Sequence, residues 1–434
     1  MNPYTHNKQF LLLKRVLIST IFIILTSQHY LSCAQTEPAL QEIQVQQKTE
    51  EKLLQKLDHY NMQVTEKPFS YNNKIEIFSP ILNKSFALDP EIEGFAKAYN
   101  LMLNNSIFFD PEFILNSKSV RKYHLKPKHF QRNIGQLLEF IAQDGNIVPC
   151  TYFDRASDKL LVVGEGFTND REIMSPFIDM FPDHDVILFD YRGQGLRENE
   201  WEFSPTKFLF NANCSKSGLG ATEDRDVIAV IEAMKNKKKY TQIDGIGLCY
   251  SALIFVKAAG NKQEKNEKLF DHLILDGCWL SLENFTEKLV QDPKRICSPQ
   301  YGGWKNNWLI KKLWFQKILL NLGQELFHTQ FNQVSILDYI SKIKDTAILY
   351  IYGKGDLVVN RHEFEIMWNN TKTKEKTAII TSNPHVRNHL KQKELYKLIC
   401  DLFLTLPHVE FINCLKDKEH LINYQANKLL KQSL

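Results

Sequence analysis

Six short apolar runs, spaced by stretches of helix length or longer, constrain this chain most: Leu160 to Val163, Val186 to Phe189, Ile243 to Leu248, Leu273 to Leu275, Ala347 to Tyr352 and Thr377 to Ile380. Strands that are apolar along their whole length are buried on both faces, and a mostly parallel sheet covered by helices on both sides provides that environment. Just upstream, Glu139 to Gln143 and Asn146 to Phe153 flank Asp144-Gly145. A Gly-containing dipeptide between two such runs predicts a hairpin, so the sheet should begin with an antiparallel edge. The pattern predicts an α/β fold.

The chain has 434 residues, 43% of them hydrophobic and 24% charged, which fits one large α/β domain with additions, or two domains. A formal net charge of +4 gives no basic excess of the kind that nucleic-acid binding needs. No uninterrupted apolar run is long enough to make the chain a polytopic membrane protein. Met1 to Ala34 lacks acidic residues, carries Lys8, Lys14 and Arg15 ahead of the apolar run Val16 to Thr26, and ends with small residues at Ser32 and Ala34. This predicts a signal peptide over residues 1–34 and an exported protein. Lipoprotein processing at Cys33 and an uncleaved anchor are the alternatives; membrane contact is expected only through this segment. Tyr30 stands where a lipobox wants an aliphatic residue.

Removal of that segment leaves 51 basic against 50 acidic residues, so the charge bears on targeting more than on partners. It also leaves seven cysteines, Cys150, Cys214, Cys249, Cys278, Cys297, Cys400 and Cys414. An odd number means that at least one thiol is free or pairs between chains. No Cys-x-x-Cys or zinc spacing occurs, and no metal site is expected.

Residues 35–136 read as a partly helical N-terminal extension, with an exposed helix from Thr36 to about Gln63 and an amphipathic one from Glu91 to Leu103. The basic run Lys235 to Lys239 reads as a solvated helix C-terminus. About seventy residues separate the runs at Leu273 and Ala347, far more than an ordinary connection. They include Trp279, Trp304, Trp308 and Trp314, and predict a cap at about residues 279–340, packed on the domain or acting as an apolar lid. Residues 406–434 read as a helical tail.

The third apolar run ends in Gly247-Leu248-Cys249-Tyr250-Ser251, and the helical stretch Leu253 to Ala259 follows. Strand, sharp turn and helix, with small residues two before and two after a nucleophilic side chain, is the spacing of a nucleophile elbow.

With this elbow, the chain over about residues 137–405 resembles the α/β-hydrolase superfamily. Its core is similar to serine aminopeptidases and lipases, and its cysteine elbow to the dienelactone hydrolases. The run Asp185 to Gly195, with Asp190-Tyr191-Arg192-Gly193-Gln194-Gly195, resembles the fourth strand and its turn. Leu349 to Val359 resembles the seventh strand and the loop bearing the acid; Asn383-Pro384-His385 occupies the histidine loop. The resemblance implies an α/β-hydrolase fold with a helical cap and a triad of Cys249, Asp356 and His385, His389 being the competitor for the histidine. Backbone N–H groups of Tyr250 and Phe167 would form the oxyanion hole, and both rings could wall the acyl pocket. Glu165 matches the supporting glutamate of the dienelactone hydrolases; the competing reading is a solvated loop carboxylate. His184 and His362 read as surface loop and helix residues.

The function implied is hydrolysis of an ester, thioester or related acyl bond in a small-molecule or acyl substrate. The alternative is a catalytically inactive hydrolase fold used for binding, because Cys249 replaces serine, Glu165 replaces histidine and Ser251 replaces glycine. No cofactor is implied, and the oligomeric state is left open.

Overall fold

The structure, a computed structural model, describes residues 75–80, 84–89, 91–92, 135–166, 171–174, 176–193, 217–291, 321, 324, 329–386 and 388–421. The expected signal peptide, the helix at 36–63, most of the helix at 91–103, the end of the tail, and Phe167, Trp304, Trp308 and Trp314 lie outside these residues.

The strands are β1 (Glu76–Ser79), β2 (Lys84–Ala87), β3 (Gln136–Ile141), β4 (Ile147–Phe153), β5 (Lys159–Gly164), β6 (Asp185–Phe189), β7 (Gln242–Leu248), β8 (His272–Asp276), β9 (Ala347–Gly353) and β10 (Lys376–Thr381). The helices are α1 (Pro176–Met180), α2 (Asp224–Lys237), α3 (Tyr250–Gln263), α4 (Leu282–Gln291), α5 (Leu337–Ile340), α6 (Arg361–Asn370), α7 (Asn388–Lys391), α8 (Lys393–Thr405) and α9 (His408–Lys416).

The ten described strands form one sheet in the order β2-β1-β10-β9-β8-β7-β5-β6-β4-β3. The six apolar runs are its parallel centre, β5 to β10. Side chains alternate across a strand, so each central strand feeds two cores. Leu160 and Val162 of β5 join the layer that includes α2, α3 and α6. Leu161 and Val163 join the layer of α1, α8 and α9. All four are fully buried; such a side chain stabilises the fold by about 1.5–3 kcal/mol. The hairpin at Asp144-Gly145 forms as β3 and β4, with Gly145 at φ 80°, and β4 pairs antiparallel with β6.

In the N-terminal extension, expected to be partly helical, the described residues add a hairpin. Apart from Glu91 and Ile92, its described residues are largely strand: β1 pairs antiparallel with β10, in register Ile77 to Ile379, and β2 pairs with β1. The hairpin covers the β10 edge, which would otherwise present an unpaired row of backbone groups. An ion pair between Lys354 Nζ and Glu76 Oε1 at 2.6 Å links it to the domain.

The two ends of the insertion after β8 are tied together. Ser281 and Ser335 form an antiparallel bridge, Leu282 N–H donates to Val334 O at 2.9 Å, and Ile336 N–H donates to Leu280 O at 2.9 Å. Trp279 stacks on Phe285 of α4 with centroids 3.7 Å apart, so this tryptophan is core.

His184, expected on a surface loop, is buried. Its Nε2 lies 3.1 Å from Asp244 Oδ2, and Asp244, itself fully buried, also meets His272 Nδ1 at 2.8 Å. A buried carboxylate needs such partners, and they draw the histidine inward. His362 lies exposed on α6.

Candidate active site

The elbow forms where β7 gives way to α3. Cys249 has φ 59° and ψ −112°, a region that costs a non-glycine residue on the order of 1–3 kcal/mol and persists only where packing enforces it. The enforcement is visible at Gly247, where a Cβ would lie 2.7 Å from both the Cα and the N of Ala252. Cys249 N–H donates to Asp276 O at 2.8 Å, which anchors the turn to β8. The thiol stands at the N-terminus of the 14-residue α3, whose dipole favours an anion there.

Ser251, in place of the usual glycine, is accommodated from the neighbouring strand. Gly164 pairs with Gly247 across β5 and β7, and a Cβ on Gly164 would fall 2.7 Å from Ser251 Cβ and 2.8 Å from its Oγ. The Ser251 hydroxyl donates to the Glu165 carbonyl. The missing side chain at Gly164 leaves the room that Ser251 fills. Gly164→Ala should therefore destabilise the fold by about 1–3 kcal/mol, as overpacking does. Adding Ser251→Gly should recover much of that loss in denaturant titrations. Strict additivity of the two substitutions would sink the pairing.

The candidate acid Asp356 and the candidate histidine His385 stand on loops after β9 and β10. Val358 and Val359 N–H donate to Asp356 Oδ1 at 2.8 and 2.9 Å, leaving Oδ2 for His385 Nδ1 at 2.7 Å. The loop is closed by a capping box on α6, in which Asn360 Oδ1 accepts from Glu363 N–H and Glu363 Oε2 accepts from Asn360 N–H, each at 2.9 Å. Burial pushes the His385 imidazole down, but Cys249 and then Asp356 more than offset it, and the ring is pushed up to about 10. His385 Nε2 is buried, and Cys249 lies near enough to the ring to act on it. The competitor His389 lies on α7 and packs against Phe177 and Tyr396, with centroids 5.6 and 6.0 Å away.

Glu165 is fully buried, which overturns the solvated reading. Its charge acts on the buried Tyr191. Tyr250 is the first residue of α3, where backbone N–H groups have no partner within the helix. The Tyr250 ring is fully buried between Tyr191 and Trp279, each 5.7 Å away, so it is core and does not wall a pocket. Among the described residues, Cys150, Cys249, Cys278, Cys400 and Cys414 are free thiols, and Cys249 alone of these is not buried.

Two residues carried no sequence signal. Asp276, at the end of β8, is 1% exposed, and burial pushes its carboxyl up to about 7. Asn388, 3% exposed, reaches it with Nδ2 at 3.4 Å from Oδ1.

No family model matches the chain, and no curated protein matches it. Among solved structures, it is similar to the esterase Pf2001 of Pyrococcus furiosus, at 18% identity and TM-score 0.47, over 64% of this chain and 95% of that one. It is similar to the esterase EaEST of Exiguobacterium antarcticum, at 16% identity and TM-score 0.44, over 62% and 100% of the two chains. The α/β hydrolase GrgF of Penicillium sp. sh18 gives 15% identity and TM-score 0.44, over 62% and 97%. Counted from β3, the described strands run 1-2-4-3-5-6-7-8 with only the second reversed, and the turn at Cys249, the Asp356 loop and the His385 loop follow the fifth, seventh and eighth. That arrangement is the α/β-hydrolase fold.

Proposed function

We propose that this chain is a hydrolase of ester, thioester or related acyl bonds that works through an acyl-enzyme on Cys249. The observation that carries the reading is the convergence of a strained cysteine at a helix N-terminus with a histidine already fixed by a carboxylate at 2.7 Å. A thiol attacks as its thiolate, and the raised proton affinity of His385 favours an imidazolium beside it.

In this reading the Cys249 Sγ lone pair forms a bond to the acyl carbon, and the carbonyl π electrons move onto oxygen. The oxyanion is held by the Tyr250 N–H and by the Phe167 N–H, the latter outside the described residues. The tetrahedral species collapses, and the leaving group departs with the proton from His385. Water then attacks the thioester while His385 takes its proton, and the chain is regenerated as Cys249 leaves. Asp356 fixes the ring tautomer and balances the imidazolium throughout. The N-terminal segment supports export of this activity.

The buried Glu165 beside the elbow favours a second reading, a silent binding fold, because a carboxylate there opposes a developing oxyanion. One experiment separates the two. The purified chain is mixed with p-nitrophenyl acetate and a short acyl thioester, quenched early, and its peptides are weighed. An acetyl adduct confined to the Cys249 peptide, with turnover, is expected. Absence of both adduct and turnover would leave the binding reading.

A further inference from the structure

We propose that Lys288, on α4 at the start of the insertion after β8, is a positioning residue of this site: its ammonium grips the loop that carries Asp356 and holds that carboxylate on His385. The inference rests on the reading of Asp356 and His385 as acid and base to Cys249. The contacts are direct. Lys288 Nζ donates to the Val358 carbonyl at 2.7 Å and also to Glu363 Oε2. That carbonyl belongs to the peptide whose N–H, on Val359, donates to Asp356 Oδ1 at 2.9 Å. One planar peptide therefore stands between a cation and a carboxylate, its oxygen toward the first and its N–H toward the second. A cation on the oxygen draws electron density from the amide and makes its N–H a stronger donor, so the two hydrogen bonds reinforce each other. Asp356 Oδ2 is left for His385 Nδ1 at 2.7 Å.

Glu363 fixes where the ammonium sits. Its side chain is 5% exposed, and a carboxylate so placed needs partners. Oε2 takes Lys288 and, at 2.9 Å, the Asn360 N–H of the capping box; Oε1 takes Asn284 Nδ2 at 3.0 Å. Asn284 and Lys288 stand four positions apart on α4 and so share one of its faces. The loop from Asp356 to Asn360 is thus held from α4 at Val358 and, through Glu363, at Asn360. The start of α4 is itself pinned, because Asn284 N–H donates to Ser281 Oγ at 3.1 Å and Ser281 bridges to Ser335 at the other end of the insertion. Loss of the ammonium leaves Glu363 with Asn360 and Asn284, so the capping box stays while the Val358 carbonyl is released.

The test reads the proton shared by His385 Nδ1 and Asp356 Oδ2, a far-downfield resonance in the proton NMR spectrum of the full chain in water, assigned by its absence in His385→Ala. Lys288→Met keeps the aliphatic stem and removes the charge. The resonance should move upfield and broaden, and kcat for a short acyl thioester should fall by about tenfold or more with KM held, as a mispositioned catalytic group gives. Lys288→Arg, which can donate to both oxygens, should restore both readings. Lys288→Gln, uncharged but polar, carries the test if Lys288→Met fails to fold. A resonance unmoved in folded Lys288→Met or Lys288→Gln, one that Lys288→Arg does not restore, or one that moves while kcat stays, would overturn the assignment. So would a wild-type spectrum that lacks it. A moved resonance in a chain that turns over no acyl substrate even as wild type would sustain Lys288 and remove the hydrolase reading; turnover with an unmoved resonance would do the reverse.

Discussion

Cys249→Ala removes acyl turnover, with kcat/KM falling on the order of 10⁵-fold or more, as deletion of a covalent nucleophile does. The substitution is chemically narrow. Alanine keeps the backbone N–H that Asp276 O accepts, and it fits the space already made at the turn, so the fold should survive. His385 loses the neighbour that most raises its proton affinity, and the ring should titrate below the wild-type value of about 10. Labelling of the Cys249 peptide by a thiol-directed acyl probe should disappear together with turnover, while among the described residues Cys150, Cys278, Cys400 and Cys414 are buried. The measurement is steady-state hydrolysis of the acyl thioester alongside peptide-level mass mapping of the label. Turnover within tenfold of wild type would remove Cys249 from the mechanism.

The centre of the sheet was readable from the sequence because its strands are apolar on both faces, a pattern that depends on no distant partner. The elbow was readable for a related reason, since small residues must flank the turn within five positions. What escaped depends on contacts far apart in the chain. β1 and β2 have four residues each, too few to display a period of two; β1 becomes a strand by pairing with β10 some 300 residues on, and β2 by pairing with β1. His184 reads as polar and loop-like until its partner Asp244, 60 residues later, is placed beside it. Ser251 reads as a loss of the elbow glycine, and only the register of β5 on β7 reveals that Gly164 supplies the space. Asp276 stands before a glycine, like an ordinary turn residue, and only the fold shows it buried against Asn388.

The second large effect is expected at Asp356→Asn, a loss of about 10³- to 10⁴-fold in kcat/KM with little loss of stability. Two backbone N–H groups, of Val358 and Val359, point at Oδ1, and an asparagine would keep both by presenting its amide oxygen to them. The amide nitrogen must then face His385 Nδ1, where the carboxylate oxygen stood at 2.7 Å. An NH₂ group can only donate there, so Nδ1 has to accept and the ring proton moves to Nε2. That tautomer cannot take a proton from Cys249, and the imidazolium also loses the carboxylate that balances it. The loop stays anchored while the base is switched off, so a thermal melt close to wild type together with the lost rate is the signature. A loss under tenfold in a folded variant would show that His385 does not need Asp356, and the triad assignment would fall with it.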